Sequence, residues 1–386
     1  MVGPAGVSGP VLVLNAGSSS VRWQLLDPTD GTSLAGGHVQ DIGATGPADH
    51  EAAVRDALED LSRQRPDLAD AGPAVIGHRV VHGGPRFHDP VLIDEAVLAD
   101  IAGLEPLAPL HNQANLAGIR ATMTVFPHLP QVAVFDTAFH HTLPPRARTY
   151  AVPLEWRDAH HVRRYGFHGI SYAYVSRRTC ELLGREPADT NLIVLHLGNG
   201  ASACAIAGGA SVDTSMGLSP LEGLVMGTRS GDVDPAMGAY LARVEALDPP
   251  AYDHALNFDS GLLGLGGSSD LREVERRCVE GDLNAALALE VMTYRIRKYL
   301  GAYAVALGRV DAIVFTAGIG EHSIDVRERV LSGLQVLGVQ LDRAANADEA
   351  RAERRITTDA SAIAGYVVPT NEEWEIARAC VQLLSA

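Results

Sequence analysis

The sequence predicts an α/β fold built from two similar domains, each with a mixed sheet flanked by helices. Strand-like and helix-like segments alternate along the chain, as is typical of α/β proteins. The chain has 386 residues, a length that exceeds what one ordinary hydrophobic core accommodates. Its hydrophobic content of 46% is ample for burial. A strand, small-residue turn and second strand also occur once in each half, which indicates an internal repeat.

The repeat consists of "VLVLNAGSSS", from Val11, and "LIVLHLGNGA", from Leu192. Each has four aliphatic residues, one polar residue (Asn15 or His196), one apolar residue and a glycine. Such a pattern predicts two antiparallel strands joined by a tight turn. The N–H groups and hydroxyls of a turn of this kind can bind phosphate, although ordinary turn chemistry explains the same residues. We expect the two domains to present these turns to a common cleft.

Further elements of the first half follow in order. "EAAVRDALEDLSRQR" predicts an amphipathic helix that ends before Pro66, "AVIGHRVVHGG" (74 to 84) a strand and turn, and "NQANLAGIRATMTVF" a helix. "QVAVFDTAFH" (131 to 140) is apolar without alternation, which favours a strand covered on both faces. That strand is expected to end on Asp136.

The second half begins near "RARTYAVP" and continues with a helix at "SYAYVSRRTCELL". After the second copy of the repeat, the pattern predicts a long helix from Leu283 to Leu307, the strand "DAIVFTAGIGE" and a last helix, "EEWEIARACVQLL". Within this strand segment, "TAGIGE" (316 to 321) is expected to be a loop whose glycines allow close approach to a flat ligand.

Charge and composition exclude several classes of protein. The net charge of −16 argues against a nucleic-acid or anionic-membrane partner. Lys298, the only lysine, lies in the helical pattern "RIRKYL", so neither a P-loop nor the strand lysine of protein kinases is present. The sequence shows no apolar stretch of membrane length and no secretion signal, and its four cysteines have neither disulfide nor zinc-site spacing. We expect a soluble, cytoplasmic protein.

Two arginines are candidates for binding anions. Arg79 lies in "GHRVVHGG" and Arg229 in "GTRSGDVDP", both beside glycine-rich turns and outside helical patterns. The guanidinium fork fits carboxylate and phosphate groups, although a surface ion pair is the commoner use of an arginine. His168, in "YGFHG", could stabilise a transferring phosphoryl group, or be a structural histidine. The absence of "HExxH" gives zinc hydrolysis no support.

Two carboxylates are candidates for the same chemistry. Asp136 follows a buried strand, where ligands meet open α/β sheets; it could accept a proton, orient a nucleophile or organise metal-bound water, or act only as a cap or turn residue. Glu372 begins the last helix in "PTNEEWEIA". There it either complements the helix dipole, which the pattern alone favours, or contacts Mg²⁺ together with phosphate oxygens and water.

Nine motifs in order resemble the acetate kinase family, which belongs to the superfamily of actin, Hsp70 and the sugar kinases. They run from Val11 over nearly the whole chain: "NAGSSS", "GHRVVHGG", "LAPLHN", "VFDTAFH", "YGFHG", "HLGNG", "TSMGLSPLEGLVMGTRSGDVDP", "FTAGIGE" and "PTNEE". The resemblance implies duplicated actin-like (ribonuclease H-like) domains with the active site in the interdomain cleft. It places the N-terminal domain at residues 1–140, completed by the C-terminal helix 375–386, and the nucleotide-binding domain at 141–374.

The resemblance also implies reversible phosphorylation of acetate by ATP, with Mg²⁺ or Mn²⁺, through direct in-line transfer to give acetyl phosphate. Asn15 and Glu372 would hold the metal, and Asp136, His168 and Arg229 would be catalytic. Acetate would be bound by Arg79, with Val81, Leu110, Phe167 and Pro220 lining a methyl pocket. The nucleotide contacts would be Arg22, His196, Leu197, Gly198, Asn199, Gly200, Asp270, Leu271, Arg272, Gly318, Ile319, Gly320, Glu321 and His322.

Three residues depart from the family pattern. Arg22 stands where lysine is frequent, Leu271 where phenylalanine is frequent and His322 where asparagine is usual, so the departures concern nucleotide binding rather than the reaction. Propionate or another short-chain acid is an alternative substrate, because one methylene is worth only about 1 to 3 kcal/mol in an apolar pocket. Pyrophosphate or another nucleotide is an alternative donor. A more distant alternative is a non-catalytic nucleotide switch like actin or Hsp70. A serine hydrolase is disfavoured because the sequence contains no "GxSxG" motif. The family suggests a homodimer.

Overall fold

Two six-stranded mixed sheets organise the chain. The computed structural model describes residues 9–17, 19–68, 72–108 and 111–385. The chain divides into two units. Unit 1 comprises the described residues up to His141, together with Gly169–Ser171 and the residues from Asn371 onward; unit 2 comprises Thr142–His168 and Tyr172–Thr370.

Unit 1 contains the first sheet and the helices packed on it. Its strands are β1 (Val11–Ala16), β2 (Val21–Leu26), β3 (Ser33–Val39), β4 (Val75–Val80), β5 (Val91–Leu92) and β6 (Gln131–Phe135). Its helices are α1 (His50–Gln64), α2 (Glu95–Gly103), α3 (Asn112–Val125) and the last helix of the chain, α15 (Glu372–Ser385), with short 3-10 helices at Pro66–Leu68, Glu105–Leu107 and Ala138–Thr142.

Unit 2 contains the second sheet. Its strands are β7 (Asn191–Leu197), β8 (Ala201–Ala207), β9 (Ala210–Thr214), β10 (Ala312–Thr316), β11 (Arg354–Arg355) and β12 (Ala364–Val367). Its helices are α4 (Pro145–Arg148), α5 (Leu154–His160), α6 (Gly169–Leu183), α7 (Met237–Val244), α8 (Pro249–Phe258), α9 (Gly261–Gly266), α10 (Leu271–Val279), α11 (Leu283–Leu307), α12 (Ala317–His322), α13 (Ile324–Leu331) and α14 (Arg343–Ala347), with 3-10 helices at Pro187–Asp189 and Gln335–Leu337. The first three residues of α6 belong to unit 1.

The two sheets have the same topology. Their strand orders are β3-β2-β1-β4-β6-β5 and β9-β8-β7-β10-β12-β11, so each strand of the first sheet has a counterpart six strands later. In both, the first three strands form an antiparallel meander, the fourth (β4 or β10) pairs in parallel with the first, the sixth (β6 or β12) pairs in parallel with the fourth, and the edge strand (β5 or β11) is antiparallel. The repeat read from ten residues of sequence therefore extends over both sheets, which confirms the predicted duplication.

The apolar pattern of the first hairpin reflects a sheet covered on both faces. Leu12 and Leu14 pack with the helix residues Ala53 and Ala57. The alternate residues of β1 pack on the other face with Ile376, Ala377 and Cys380 of α15. The last helix of the chain is therefore part of the core of unit 1. In unit 2, α11 packs on β7 and β8 and buries residues such as Leu289, Met292 and Ile296.

The segment predicted as the loop "TAGIGE" is mostly a helix, so that prediction is wrong. Strand β10 ends at Thr316 and α12 begins at the next residue. Ala317 adopts a left-handed backbone conformation, with φ of 63°, and this allows the chain to reverse from strand to helix without a connecting loop. In the part of the chain that the structure describes, no helix is long and apolar enough to span a membrane.

Candidate active site

Three predicted site residues lie at the carboxyl ends of adjacent parallel strands in unit 1. Asn15 is near the end of β1, Arg79 near the end of β4, and Asp136 directly follows β6. These strands are neighbours in the order β1-β4-β6, so the sheet brings together side chains that are far apart in sequence. This edge is where open α/β sheets bind their ligands.

Arg79 and Asp136 form a forked ion pair. Arg79 Nε donates to Asp136 Oδ1 at 3.0 Å and Nη2 donates to Oδ2 at 2.6 Å. The side chain of Asp136 is 2% exposed and that of Arg79 is 20% exposed, so the carboxylate is buried behind the guanidinium. Within the described residues, Arg79 Nη1 has no hydrogen-bond partner. The pair therefore fixes the guanidinium plane and leaves one nitrogen for another anion.

Glu372 is the first residue of α15, and its Oε2 lies 3.8 Å from Arg79 Nε. Burial raises the pKa of Glu372 to about 7; the positive charge of Arg79 opposes this shift, and the nearby Asp136 and Glu373 add to it. Carboxylates crowded in this way are stabilised by a cation. The charge of Arg22, which pairs with Asn15 across the β1–β2 hairpin, also opposes the rise in the pKa of Glu372.

The oxygen donors of unit 1 suit a hard divalent cation. Among the described residues, no cluster of three or more histidine, cysteine, aspartate or glutamate side chains could hold a metal ion. The available donors are the Asn15 amide oxygen and the Glu372 carboxylate, with Asp136 engaged by Arg79. Mg²⁺ is typically held by one or two protein oxygens while phosphate and water complete its shell, so the residues present fit that ion.

Two asparagines that the sequence analysis did not identify hold this edge together. Asn115 Oδ1 accepts from the Val81 N–H at 3.0 Å, and its Nδ2 donates to the Ala16 carbonyl at 2.8 Å. Asn112 bonds both the N–H and the carbonyl of His82. The buried amides of α3 thus join the ends of β1 and β4. Asn112 ends the motif "LAPLHN", and the other sequence signal was that asparagines are unusual on the buried face of a helix.

Unit 2 brings His168 and Arg229 together over the β7–β8 turn. A Cβ atom built on Gly200 would lie 3.5 Å from Arg229 Nη1 and 3.6 Å from His168 Nε2. The Gly227 N–H donates to the Asn199 carbonyl at 3.0 Å, which fastens the segment before Arg229 to the turn. Glycine at position 200 therefore leaves open the space on which both side chains converge.

The His168 ring is held by its surroundings. Its Nδ1 hydrogen-bonds Ser202 Oγ at 2.8 Å, and the same hydroxyl contacts Tyr172. The His168 ring also stacks on His196, with ring centroids 4.0 Å apart. His168 itself has φ of 59° and precedes the first residue of α6. These contacts orient Nε2 toward Gly200; Ser202 and Tyr172 were not among the predicted site residues.

Arg229 is a partly buried cation that has no acidic partner among the described residues. Its Nη1 donates to the Pro220 carbonyl at 3.2 Å and approaches Met226 Sδ at 3.8 Å. Burial lowers the pKa of the Arg229 guanidinium from its usual value, which reflects the cost of desolvating an unpaired charge. An anionic ligand would compensate that charge.

A cavity of about 680 Å³ opens beside this turn within unit 2. Eight predicted nucleotide contacts line it: Gly198, Asn199, Asp270, Leu271, Arg272, Gly318, Ile319 and His322. The sequence analysis missed three further lining residues, Ser269, Glu275 and Ser323. The spacing of Gly318, Ile319 and His322 is that of one face of a helix. This face of α12 therefore lines the cavity, where the sequence analysis expected a glycine-rich loop.

The other predicted nucleotide contacts lie elsewhere. His196 stacks on His168, Leu197 is fully buried and Gly200 lies under Arg229. Gly320 and Glu321 belong to α12 but not to the cavity lining, and Arg327 bonds both of their carbonyls. Arg22 lies in unit 1. A nucleotide contact for each of these residues stays a prediction.

The four predicted methyl-pocket residues are divided between the units. Val81 directly follows β4 in unit 1, while Phe167 and Pro220 belong to unit 2. Phe167 is 2% exposed, and Pro220 is the residue whose carbonyl accepts from Arg229. Leu110 lies outside the described residues.

Comparison with known proteins identifies the family. The model of the Acetokinase family matches residues 10–378. An acetate kinase of Streptomyces avermitilis is 53% identical, over 95% of this chain and 96% of the relative. The crystal structure of Porphyromonas gingivalis acetate kinase has a TM-score of 0.91 at 41% identity and covers 98% of this chain and 100% of that one. A propionate kinase structure from Francisella tularensis has the same TM-score at 40% identity, with coverages of 96% and 99%. The chain belongs to the acetokinase family.

Proposed function

We propose that this protein is an acetate kinase, which transfers the γ-phosphoryl group of ATP to acetate, reversibly, to give acetyl phosphate and ADP. The observation that carries the proposal is Arg229, a partly buried guanidinium that lacks an acidic partner among the described residues and converges with His168 over a glycine turn. A site of this kind suits an anion whose charge changes during the reaction. Relatives named acetate kinase support the choice of substrate.

Arg79 binds the acetate carboxylate in this proposal. Asp136 occupies Nε and Nη2, so Nη1 is the nitrogen that meets the substrate. Acetate is ionised at neutral pH and needs no general base. Asp136 therefore acts by fixing the guanidinium rather than by removing a proton, and the substrate is held in the position for attack.

His168 and Arg229 stabilise the transferring phosphoryl group. In direct in-line transfer, a bond forms between an acetate oxygen and the γ-phosphorus while the bond to the β-phosphate oxygen breaks. Negative charge on the equatorial oxygens is then met by the Arg229 guanidinium and by His168 Nε2. Both side chains are already held by neighbouring groups, so little reorganisation is needed at the moment of reaction.

The nucleotide occupies the unit 2 cavity lined by Asp270–Arg272 and by α12. Asn15 and Glu372 are the residues that would hold Mg²⁺, or Mn²⁺ in its place. When bound, the metal ion neutralises phosphate charge. The crowding of carboxylates around Glu372 favours that assignment. The homodimer that the resemblance implies stays a prediction.

Propionate is the nearest alternative substrate, because a structural relative of 40% identity is named a propionate kinase. Trapping the acyl phosphate with hydroxylamine distinguishes the candidates: purified protein and Mg-ATP are incubated separately with acetate, propionate and butyrate. We expect most hydroxamate from acetate. A preference for propionate would keep the reaction and change the substrate. No hydroxamate from any acid, in protein that binds ATP, would contradict the proposal and favour another donor or a nucleotide switch.

A further inference from the structure

The segment that carries Arg229 is a long irregular loop between β9 and α7. We call residues 215–231 the arginine loop. The loop contains Pro220, whose carbonyl accepts from Arg229 Nη1 at 3.2 Å. It has no regular secondary structure, so its shape depends on hydrogen bonds within the loop and on side chains that bind it from outside. The contacts that set this shape are therefore the ones that set the position of Arg229.

Arg164 holds the beginning of the arginine loop. Its Nη1 donates to three consecutive carbonyls, those of Thr214, Ser215 and Met216, at 2.8, 3.0 and 3.1 Å. Its Nη2 donates to Glu222 Oε1 at 2.5 Å. Arg164 thus connects the first residues of the loop to Glu222 near its middle. Its side chain is 15% exposed, so water competes little for these bonds.

Tyr150 binds the second carboxylate oxygen of Glu222 and also the loop backbone. Its hydroxyl donates to Glu222 Oε2 and accepts from the Leu218 N–H at 3.0 Å. Gly217 lies directly against this bond, since a Cβ atom there would overlap both the Tyr150 hydroxyl and the Glu222 carboxylate. The loop is therefore folded tightly around one carboxylate, and both oxygens of that carboxylate are engaged.

The same attachment includes the segment that ends at His168. The N–H groups of Tyr165 and Gly166 donate to the Gly217 carbonyl, at 3.0 and 3.3 Å. His168 follows two residues later. Arg164 thus begins the segment that carries the histidine while its guanidinium holds the loop that carries Arg229. The two groups that converge over Gly200 are connected through one ion pair.

We propose that Arg164, Glu222 and Tyr150 are positioning residues for phosphoryl transfer, which fix Arg229 and His168 relative to each other. The inference rests on the proposed function. None of the three is assigned a contact with the reacting atoms; they act through the loop. A guanidinium displaced by about 1 Å from the phosphoryl oxygens would stabilise the transition state less, and such displacements can lower rates by about 100-fold.

The test is Glu222→Gln, with Glu353→Gln as the matched control. Glu353 accepts a forked pair from Arg178 within the same unit, and the carboxylates are similarly exposed, 29% for Glu353 and 32% for Glu222. We expect Glu222→Gln to lower kcat by at least about 10-fold, while KM for acetate and ATP stays within about twofold. Glu353→Gln should keep the wild-type kcat.

The melting temperatures of the two variants distinguish a loss of positioning from a loss of folded protein. We expect the two variants to lose similar stability, so a drop in kcat specific to Glu222→Gln would not arise from unfolding. If Glu222→Gln does not fold, Arg164→Lys serves instead, because lysine keeps the charge without the fork that reaches three carbonyls. Equal kcat in the folded variant and the control would overturn the inference. If the wild-type protein made no acyl phosphate, the proposed function would fail first.

Discussion

The two units use one sheet topology for two kinds of chemistry. Asn15 in β1 and His196 in β7 occupy equivalent places in the repeat. Leu14 and Leu195, the residues before them, pair with His78 and Phe315 on the neighbouring parallel strands. The residues that follow these partners, Arg79 and Thr316, are therefore also equivalent. Unit 1 therefore has an arginine and carboxylates at an edge where unit 2 has a buried threonine and a histidine stack.

The comparison shows which features the repeated fold supplies and which features single residues supply. In both units the parallel strands end at one edge of the sheet, so the fold provides the edge at which a ligand can bind. In unit 1, β4 continues to Val80 and carries Arg79 toward Asp136. In unit 2, the equivalent strand stops at Thr316 and turns into α12, which lines a cavity. The chemical difference arises from the residues placed at equivalent strand ends.

Arg229→Ala should have the largest effect, because in the proposed function it removes the cation of unit 2 that binds the phosphoryl group. We expect kcat to fall by about 100-fold to 1,000-fold, with KM for ATP little changed. Steady-state kinetics in the hydroxamate assay measures both parameters. Near-normal turnover would mean that His168 alone supplies the stabilisation, and the assignment of Arg229 would be wrong.

Gly227→Ala should have the next largest effect. A Cβ atom there would overlap Asn199 Oδ1, so the Asn199 side chain must rotate away or the arginine loop must move. We expect kcat to fall by about 10-fold because Arg229 is displaced. Gly301→Ala is the control, since its Cβ atom would meet nothing within 4 Å in α11 and should stabilise the helix by about 1 kcal/mol. Unchanged kcat in Gly227→Ala would show that the Asn199 side chain accommodates the added methyl group without displacing Arg229, and would contradict the prediction.

His78 makes the stability of unit 1 depend on pH. Burial lowers its pKa from 6.5 to about 4, and Gln131 accepts a hydrogen bond from its Nε2. Between these values the unfolded chain binds a proton that the folded chain does not, so stability should fall as pH falls from about 6.5 to about 4. The loss amounts to at most about 3 kcal/mol. His78→Gln should flatten this part of the profile in urea unfolding; an unchanged slope would contradict the assignment.

His322→Asn should have the smallest effect. His322 is an exposed residue of the cavity lining, at a position where the resemblance leads us to expect asparagine. We expect KM for ATP to change by no more than about threefold and kcat to stay constant, because surface contacts contribute little. A large change in kcat would show that the cavity influences the transfer step itself.

Local sequence patterns predicted the central strands of both sheets, the long helices and the residues at strand ends, but not the short or edge strands β3, β5, β9, β11 and β12. The carboxyl-edge rule made Asp136 a candidate, whereas the start of the last helix favoured a helix-dipole role for Glu372 and only the resemblance implied a metal contact. Residues that act through the tertiary structure could not be found in this way. Asn115 joins two strand ends from a helix, and Arg164 holds a loop about 50 residues away in sequence. Only the fold shows which carbonyls their side chains reach.

The error at "TAGIGE" has the same origin. Its two glycines lower helix propensity, and the pattern gave no sign that Ala317 adopts a left-handed conformation and begins a helix. Tertiary contacts compensate for the low propensity. Arg327, which is fully buried, bonds the carbonyls of Gly320 and Glu321 at the end of α12. These hydrogen bonds satisfy carbonyls at the end of α12, a contribution that the local pattern does not contain.

The most direct test of the division between the units is Arg79→Ala, measured by nucleotide binding and by kinetics. If unit 1 binds the carboxylate and unit 2 the nucleotide, KM for acetate should rise by at least about 10-fold, as expected for the loss of a charged hydrogen bond. Calorimetry with ADP should give a Kd within about twofold of the wild-type value. A comparable loss of ADP affinity, with KM for acetate unchanged, would contradict the account.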